Sequence, residues 1–223
     1  MTTRTCVTRF LGTLTAVLLT SAAFAAPYVP PSLSPGDSYH LVFITDGTHD
    51  ATSGVVTTYN NFVNAQAALN APLTGTNVGV QYRAIVSTTA IDALSNAPVS
   101  APVFNLNGDK IADNSADMWD GTIDNPIDYN QYVATIFPPD IWTGTQTNGQ
   151  QFIGNELGTT NPRTGRADLA NGTWISETTS GATLQSRIYA LSPQLTVPVP
   201  EPASWALAAL GACWLLLGVW RRQ

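Results

Sequence analysis

YHLVFIT at positions 39–45 and TTYNNFVNAQAAL at positions 57–69 decide the fold. The first is a run of apolar and β-prone residues that predicts a strand, ended by Asp46-Gly47. The second sets Tyr59, Phe62, Val63, Gln66 and Leu69 at helical spacing behind a capping region at Asp50–Ser53, and predicts the clearest helix of the chain. Working outward, Gly79–Ser87 alternates Val80, Tyr82, Ala84 and Val86 with Gln81, Arg83 and Ile85, which predicts a strand. A second short helix is expected over Thr89–Leu94, ended by Asn96 and Pro98. Pro102–Leu106 and Lys110–Ala112 flank Asn107-Gly108, the commonest chemistry for a tight hairpin. Asp140–Thr145 precedes a second hairpin signal at Asn148-Gly149, and Arg187–Leu191 is the last core strand. Two early helices followed by several strands make an α+β domain.

The two ends read differently. Arg4 and Arg9 form a basic start, Phe10–Phe24 is apolar but short for a span, and Ala23-Phe24-Ala25 is a cleavage site of the A-x-A kind. Residues 1–25 are therefore read as a signal peptide, cut by signal peptidase at Ala23 and Ala25 to leave Ala26 first. At the other end Pro200, Glu201 and Pro202 precede 18 uncharged residues, Ala203–Trp220, and then Arg221 and Arg222. Eighteen residues at about 1.5 Å each reach roughly 27 Å, enough for one transmembrane helix over 203–220. The arginines place its far end in the cytoplasm and the rest of the chain outside.

Between these segments, Pro-rich residues 26–38 and residues 193–199 read as linkers around a domain at 39–192, long enough to bury a sizeable core. From 26 to 199, five basic residues stand against fourteen acidic ones, a net charge of −9. That field repels nucleic acid and anionic headgroups, so partners needing a basic patch are excluded. The only cysteines, Cys6 and Cys213, lie in the signal and the tail. The exported domain therefore has no disulfide, cysteine zinc site or cysteine nucleophile. With only His40 and His49, a three-histidine metal site is excluded too.

The order Pro-Glu-Pro, apolar helix, terminal arginines resembles the PEP-CTERM sorting signal, residues 200–223 here. The resemblance implies an exosortase-type transpeptidase as partner, with single-pass residence in the inner membrane before processing and release to the cell surface or the exopolysaccharide matrix. A plain C-terminal anchor is the alternative. The series LVFIT, Ala65-Gln66-Ala67, YRAIVST, PVFNLNGDKI, DMW, IWTGTQTNG and RIYAL resembles the C-type lectin-like fold, most closely its endostatin variant. It implies two helices and a twisted antiparallel sheet with long loops, with Trp142 in the core. The cysteines of that family are missing, as are its Glu-Pro-Asn and Trp-Asn-Asp sugar motifs. Trp119-Asp120-Gly121 is a faint echo of the second.

Three candidate chemistries remain. Asn105, Asn107, Asp109 and Asp113 somewhat resemble a calcium loop, but without its sixth-position glycine and twelfth-position glutamate. A hairpin with a solvated acidic loop is the favoured reading, so no cofactor or metal is expected and calcium is the alternative. His49, with Asp46 and Asp50 near, could belong to a hydrolytic site, yet no Gly-x-Ser-x-Gly accompanies it. Trp119, Tyr129, Tyr132, Trp142 and Trp174 could stack on sugars. Trp174, among Gly172, Thr173 and Ser176, is the candidate for exposure, with Trp119 and Asp120 as further ligand-binding candidates. The expectation is an exported, non-enzymatic binding or structural module for extracellular polysaccharide or protein, with a secreted hydrolase as the alternative.

Overall fold

The computed structural model describes residues 28–74, 80–137 and 140–199. The first quoted stretch forms strand β1, Ser38–Ile44, and its unbroken apolar run has a physical cause. Leu41 and Phe43 join Tyr59 and Val63 in one buried cluster, while Val42 and Ile44 join Ile85, Ile111, Ile141 and Trp174 in another. Successive strand residues face opposite sides. A strand with core on both sides therefore needs apolar residues at every position.

The other strands are β2 Arg83–Ala84, β3 Val103–Asn105, β4 Lys110–Ala112, β5 Asp140–Trp142, β6 Thr164–Arg166, β7 Tyr189–Leu191 and β8 Leu195–Thr196. The main sheet has the order β2-β7-β1-β3-β4, with β8 also on β1, and β5 pairs with β6 in a second small sheet. β1 is antiparallel to β7 and β8 but parallel to β3. The sheet is thus mixed, which corrects the expectation of an antiparallel one. The long helical connection from β1 to β3 lets the chain return in the same direction, as a parallel pair requires.

Helix α1, Val56–Ala67, buries Tyr59, Asn60, Val63 and Ala67. Leu69 lies beyond its last turn and is exposed, so the buried face is one step away from the expected one. The remaining helices, α2 Ala71–Thr74, α3 Ala93–Asn96 and α4 Ser115–Met118, are single turns. The second helix, expected at 89–94, starts later because Thr88 and Ile91 close a tight turn and the Ser87 hydroxyl accepts from the Ala93 N–H.

β2 is much shorter than the strand expected over 79–87. Arg83 and Ala84 pair with β7, but Ser87 N–H is diverted to the Thr143 carbonyl at 2.8 Å. The free edge of β2 is closed by asparagines. Asn64 bonds both Tyr82 N–H and Tyr82 C=O, and Asn60 and Asn96 do the same for Ala84. Edge backbone groups are thereby satisfied without another strand.

The Asn107-Gly108 hairpin forms between β3 and β4, with Gly108 at φ +92°. The Asn148-Gly149 turn also forms, with Gly149 N–H on the Gln146 carbonyl, yet β5 pairs with the distant β6 instead of across it. Residues 28–37 lie against the domain: Tyr28 N–H donates to Pro72 C=O, Gly36 N–H to Val197 C=O, and Tyr39 Oη to Tyr28 C=O. Among the described residues no helix is long and apolar enough to cross a membrane. The segment 203–220 lies outside them.

Candidate functional site

Trp174 corrects the reading of the sequence. It is fully buried, at the end of a single 3-10 turn, Gly172–Trp174. Its ring packs on Trp119 at 5.9 Å and Tyr189 at 5.7 Å between centroids, and its carbonyl accepts from Tyr189 Oη. The polar neighbours that suggested exposure are spent locally: Asn171 Oδ1 accepts from both the N–H and the hydroxyl of Thr173. A sugar cannot stack on this ring. Trp119 is half-buried beside it, and Asp120 is exposed, with its carboxylate accepting from Thr122 N–H and hydroxyl. Of the five aromatic candidates Trp142 is also fully buried, while Tyr132 is exposed. Phe137, 87 % exposed, was not singled out by the sequence.

The acidic segment is organised by its own hydrogen bonds. Asn105 Oδ1 accepts from Asn107 N–H and Asp109 N–H, and Asp109 Oδ2 accepts from both asparagine amides. Lys110 Nζ lies 2.7 Å from Asp113 and 3.1 Å from Asp124, and Asp117 accepts from Asp113 N–H. These oxygens brace a turn instead of converging on a point. Among the described residues no three His, Cys, Asp or Glu side chains could hold a metal ion. Burial, with smaller contributions from Asp109 and Asp168, pushes the Asp128 carboxyl above the usual range.

Both histidines have structural partners. His40 is buried; Ser100 N–H donates to its Nε2, which leaves Nδ1 to donate to Ser192 C=O at 2.9 Å. Burial lowers its affinity for a second proton. His49 Nδ1 donates to the Asp50 backbone carbonyl at 2.7 Å, and its ring meets the rings of Tyr59 and Phe62 edge-on. The Asp50 carboxylate is 4.0 Å from Nδ1 and is held low by the Thr52 hydroxyl and N–H.

Fold and chemistry together define a mixed α/β domain on which the first and last strands meet, followed by a tail of its own character. Residues 198–223 match the model of the PEP-CTERM protein-sorting motif. Pro200, Glu201, Pro202, Arg221 and Arg222 all fall inside this match. They lie outside the described residues, as do Ala23 and Ala25. The motif marks an exported protein, held at the membrane for sorting by an exosortase. No curated protein matches the chain.

Proposed function

We propose that the exported domain is a non-enzymatic, lectin-like module of the endostatin kind, displayed at the cell surface or in the matrix and binding extracellular polysaccharide or protein. The observation that carries this reading is the pairing of β1 with β7 and β8. It brings the two ends of the domain together at the sheet centre and leaves long loops to present a binding surface. The exposed rings of Tyr132 and Phe137 support a stacking contact with a sugar face. Both ring nitrogens of His40 are hydrogen-bonded, which supports binding over catalysis at that residue, because a general base needs a free nitrogen within reach of its substrate. The tail holds the chain by a single span over 203–220 until the exosortase cuts near Pro200–Pro202, and the mature protein then leaves the membrane.

The test is to recover the protein from its own cells and measure its intact mass, its C-terminal peptide and its retention on the matrix polysaccharide of the same cells. A chain from Ala26 to the Pro-Glu-Pro segment, found outside the membrane and retained by the polysaccharide, is the expected result. A chain ending at Gln223 and confined to the membrane would overturn the processing step. Polysaccharide turnover that disappears in His49→Ala would replace the binding module with a hydrolase.

A further inference from the structure

β1 pairs with residues 189–196 along most of its length, but the two sides do not match in number. Between the Val42–Leu191 and Tyr39–Leu195 pairs, β1 has two residues, His40 and Leu41, while the returning chain has three, Ser192, Pro193 and Gln194. The extra residue makes a bulge between β7 and β8, a device that re-aims side chains and interrupts pairing. Beside this bulge lies a pocket of about 440 Å³, lined by residues that include His40, Arg83, Ser100, Leu191 and Gln194. Its volume falls within the range of small-molecule sites.

The pocket is supplied with donors. Arg83 is exposed on β2 and, among the described residues, makes no side-chain hydrogen bond or ion pair. The domain's other cations are engaged: Lys110 with Asp113 and Asp124, Arg166 with Asp168 and Glu177, Arg163 with Ser176 and the Phe152 ring, and Arg187 with a partner of its own. With fourteen acidic residues against five basic ones, a lone cation does not reflect a shortage of carboxylates. Gln194 accepts the Ser100 hydroxyl proton at its Oε1, which leaves its Nε2 hydrogens unspent. Ser100 N–H occupies His40 Nε2 and Ser192 C=O occupies Nδ1, so the imidazole is a fixed neutral wall. Leu191, Pro98 and Pro193 add apolar surface.

We propose that this pocket binds a compact organic carboxylate, with the Arg83 guanidinium as its counter-ion and the Gln194 amide as second donor. A planar guanidinium matches a carboxylate with two parallel hydrogen bonds. One cation balances one negative charge, and in a field of −9 a doubly charged phosphate would be left under-neutralised. This assignment goes beyond the binding role proposed above and does not depend on a matrix ligand.

Glucuronate, glucose and cyclohexanecarboxylate are titrated against the full chain, and against Arg83→Gln and Gln194→Leu, by calorimetry. Glucuronate is expected to bind saturably, glucose at least tenfold more weakly. Arg83→Gln should lose at least tenfold of the glucuronate affinity with its melting temperature unchanged, and Gln194→Leu should lose a smaller factor. Equal binding of cyclohexanecarboxylate would support recognition of the carboxylate itself. Failure of both carboxylates to bind, or wild-type affinity in Arg83→Gln, would overturn the proposal. Loss of glucuronate binding in Arg83→Gln while the matrix polysaccharide is still retained would separate this pocket from the polysaccharide surface.

Discussion

Asn60 and Asn96 exchange side-chain hydrogen bonds, each amide donating to the other's oxygen at 3.0 Å. Both are buried, and together they also take the N–H and C=O of Ala84. Four groups from α1, β2 and α3 therefore depend on one pair. Asn60→Ala strands the Ala84 N–H and half of the Asn96 amide in the core. Each unsatisfied buried group costs about 1–3 kcal/mol, so we expect a loss of about 3 kcal/mol in urea unfolding. A change within about 0.5 kcal/mol, the range of ordinary surface substitutions, would mean that water replaces the amide and the edge closure is not structural.

Gly165 stands where β6 crosses the buried Trp174 turn. A Cβ at this position would sit 2.2 Å from the Trp174 carbonyl oxygen and 2.8 Å from its carbon. Backbone cannot yield as a flexible side chain does, so Gly165→Ala must part β6 from the 3-10 turn. The expected loss is about 2–4 kcal/mol, at or above the upper end of ordinary overpacking. Tryptophan fluorescence should shift as well, because Trp174 is packed against Trp119. Unchanged stability and emission would show that the two segments are not in contact.

Local chemistry explains why β1, α1 and the Asn107-Gly108 hairpin were legible in the sequence. An apolar run, a helical period and an αL-prone dipeptide each act over a few residues. Distant partners decide the rest. Trp174 is hidden by Trp119 and Tyr189, and its Gly-Thr-Ser surroundings gave no sign of either. Across Asn148-Gly149 only Thr145 and Gln151 bridge, and β5 pairs with β6 instead, because Gly144, at φ +63° and packed against Ser87 and Leu157, turns the chain first. The helical spacing of α1 did not single out Asn60 and Asn64, yet both bond a strand edge. The Arg83 pocket depends on a one-residue mismatch between strands roughly 150 residues apart, which no window of sequence contains. The sorting tail was legible throughout, since a recognition signal is read from the chain itself.

Val133 is the one non-glycine residue at positive φ among the described residues, at +61°. It tips a tight loop in which Asn130 Oδ1 accepts from Tyr132 N–H and Ala134 N–H. A β-branched side chain in this region is strained by about 1–2 kcal/mol, while asparagine adopts it readily. Val133 is also partly exposed, so little packing is lost on replacement. Val133→Asn should therefore stabilise the protein by about 1 kcal/mol, read as a rise in melting temperature. A fall would show that the valine is held there by contacts worth more than the strain.

His40 ties the bulge to pH. Its ring is buried with both nitrogens engaged, and burial outweighs the Ser192 and Pro193 carbonyls to lower its pKa from 6.5. The unfolded chain thus takes up a proton at a higher pH than the folded one. By linkage this contribution is present in full above pH 6.5 and is lost as pH falls through the lowered folded value. Asp128, raised by burial, opposes the trend at lower pH, because protonation removes the penalty on its buried charge. Asp50 and Asp168, both lowered from 3.8, act in the same direction as His40 but only below about pH 4. Unfolding free energies between pH 7.5 and 5 should therefore decline toward acid in the natural protein. In His40→Asn, whose amide nitrogen takes the place of Nδ1 and can still donate to Ser192 C=O, the decline should be flatter even if the variant is less stable overall. An identical pH slope in the two proteins would assign the decline to other groups and leave His40 without a part in it.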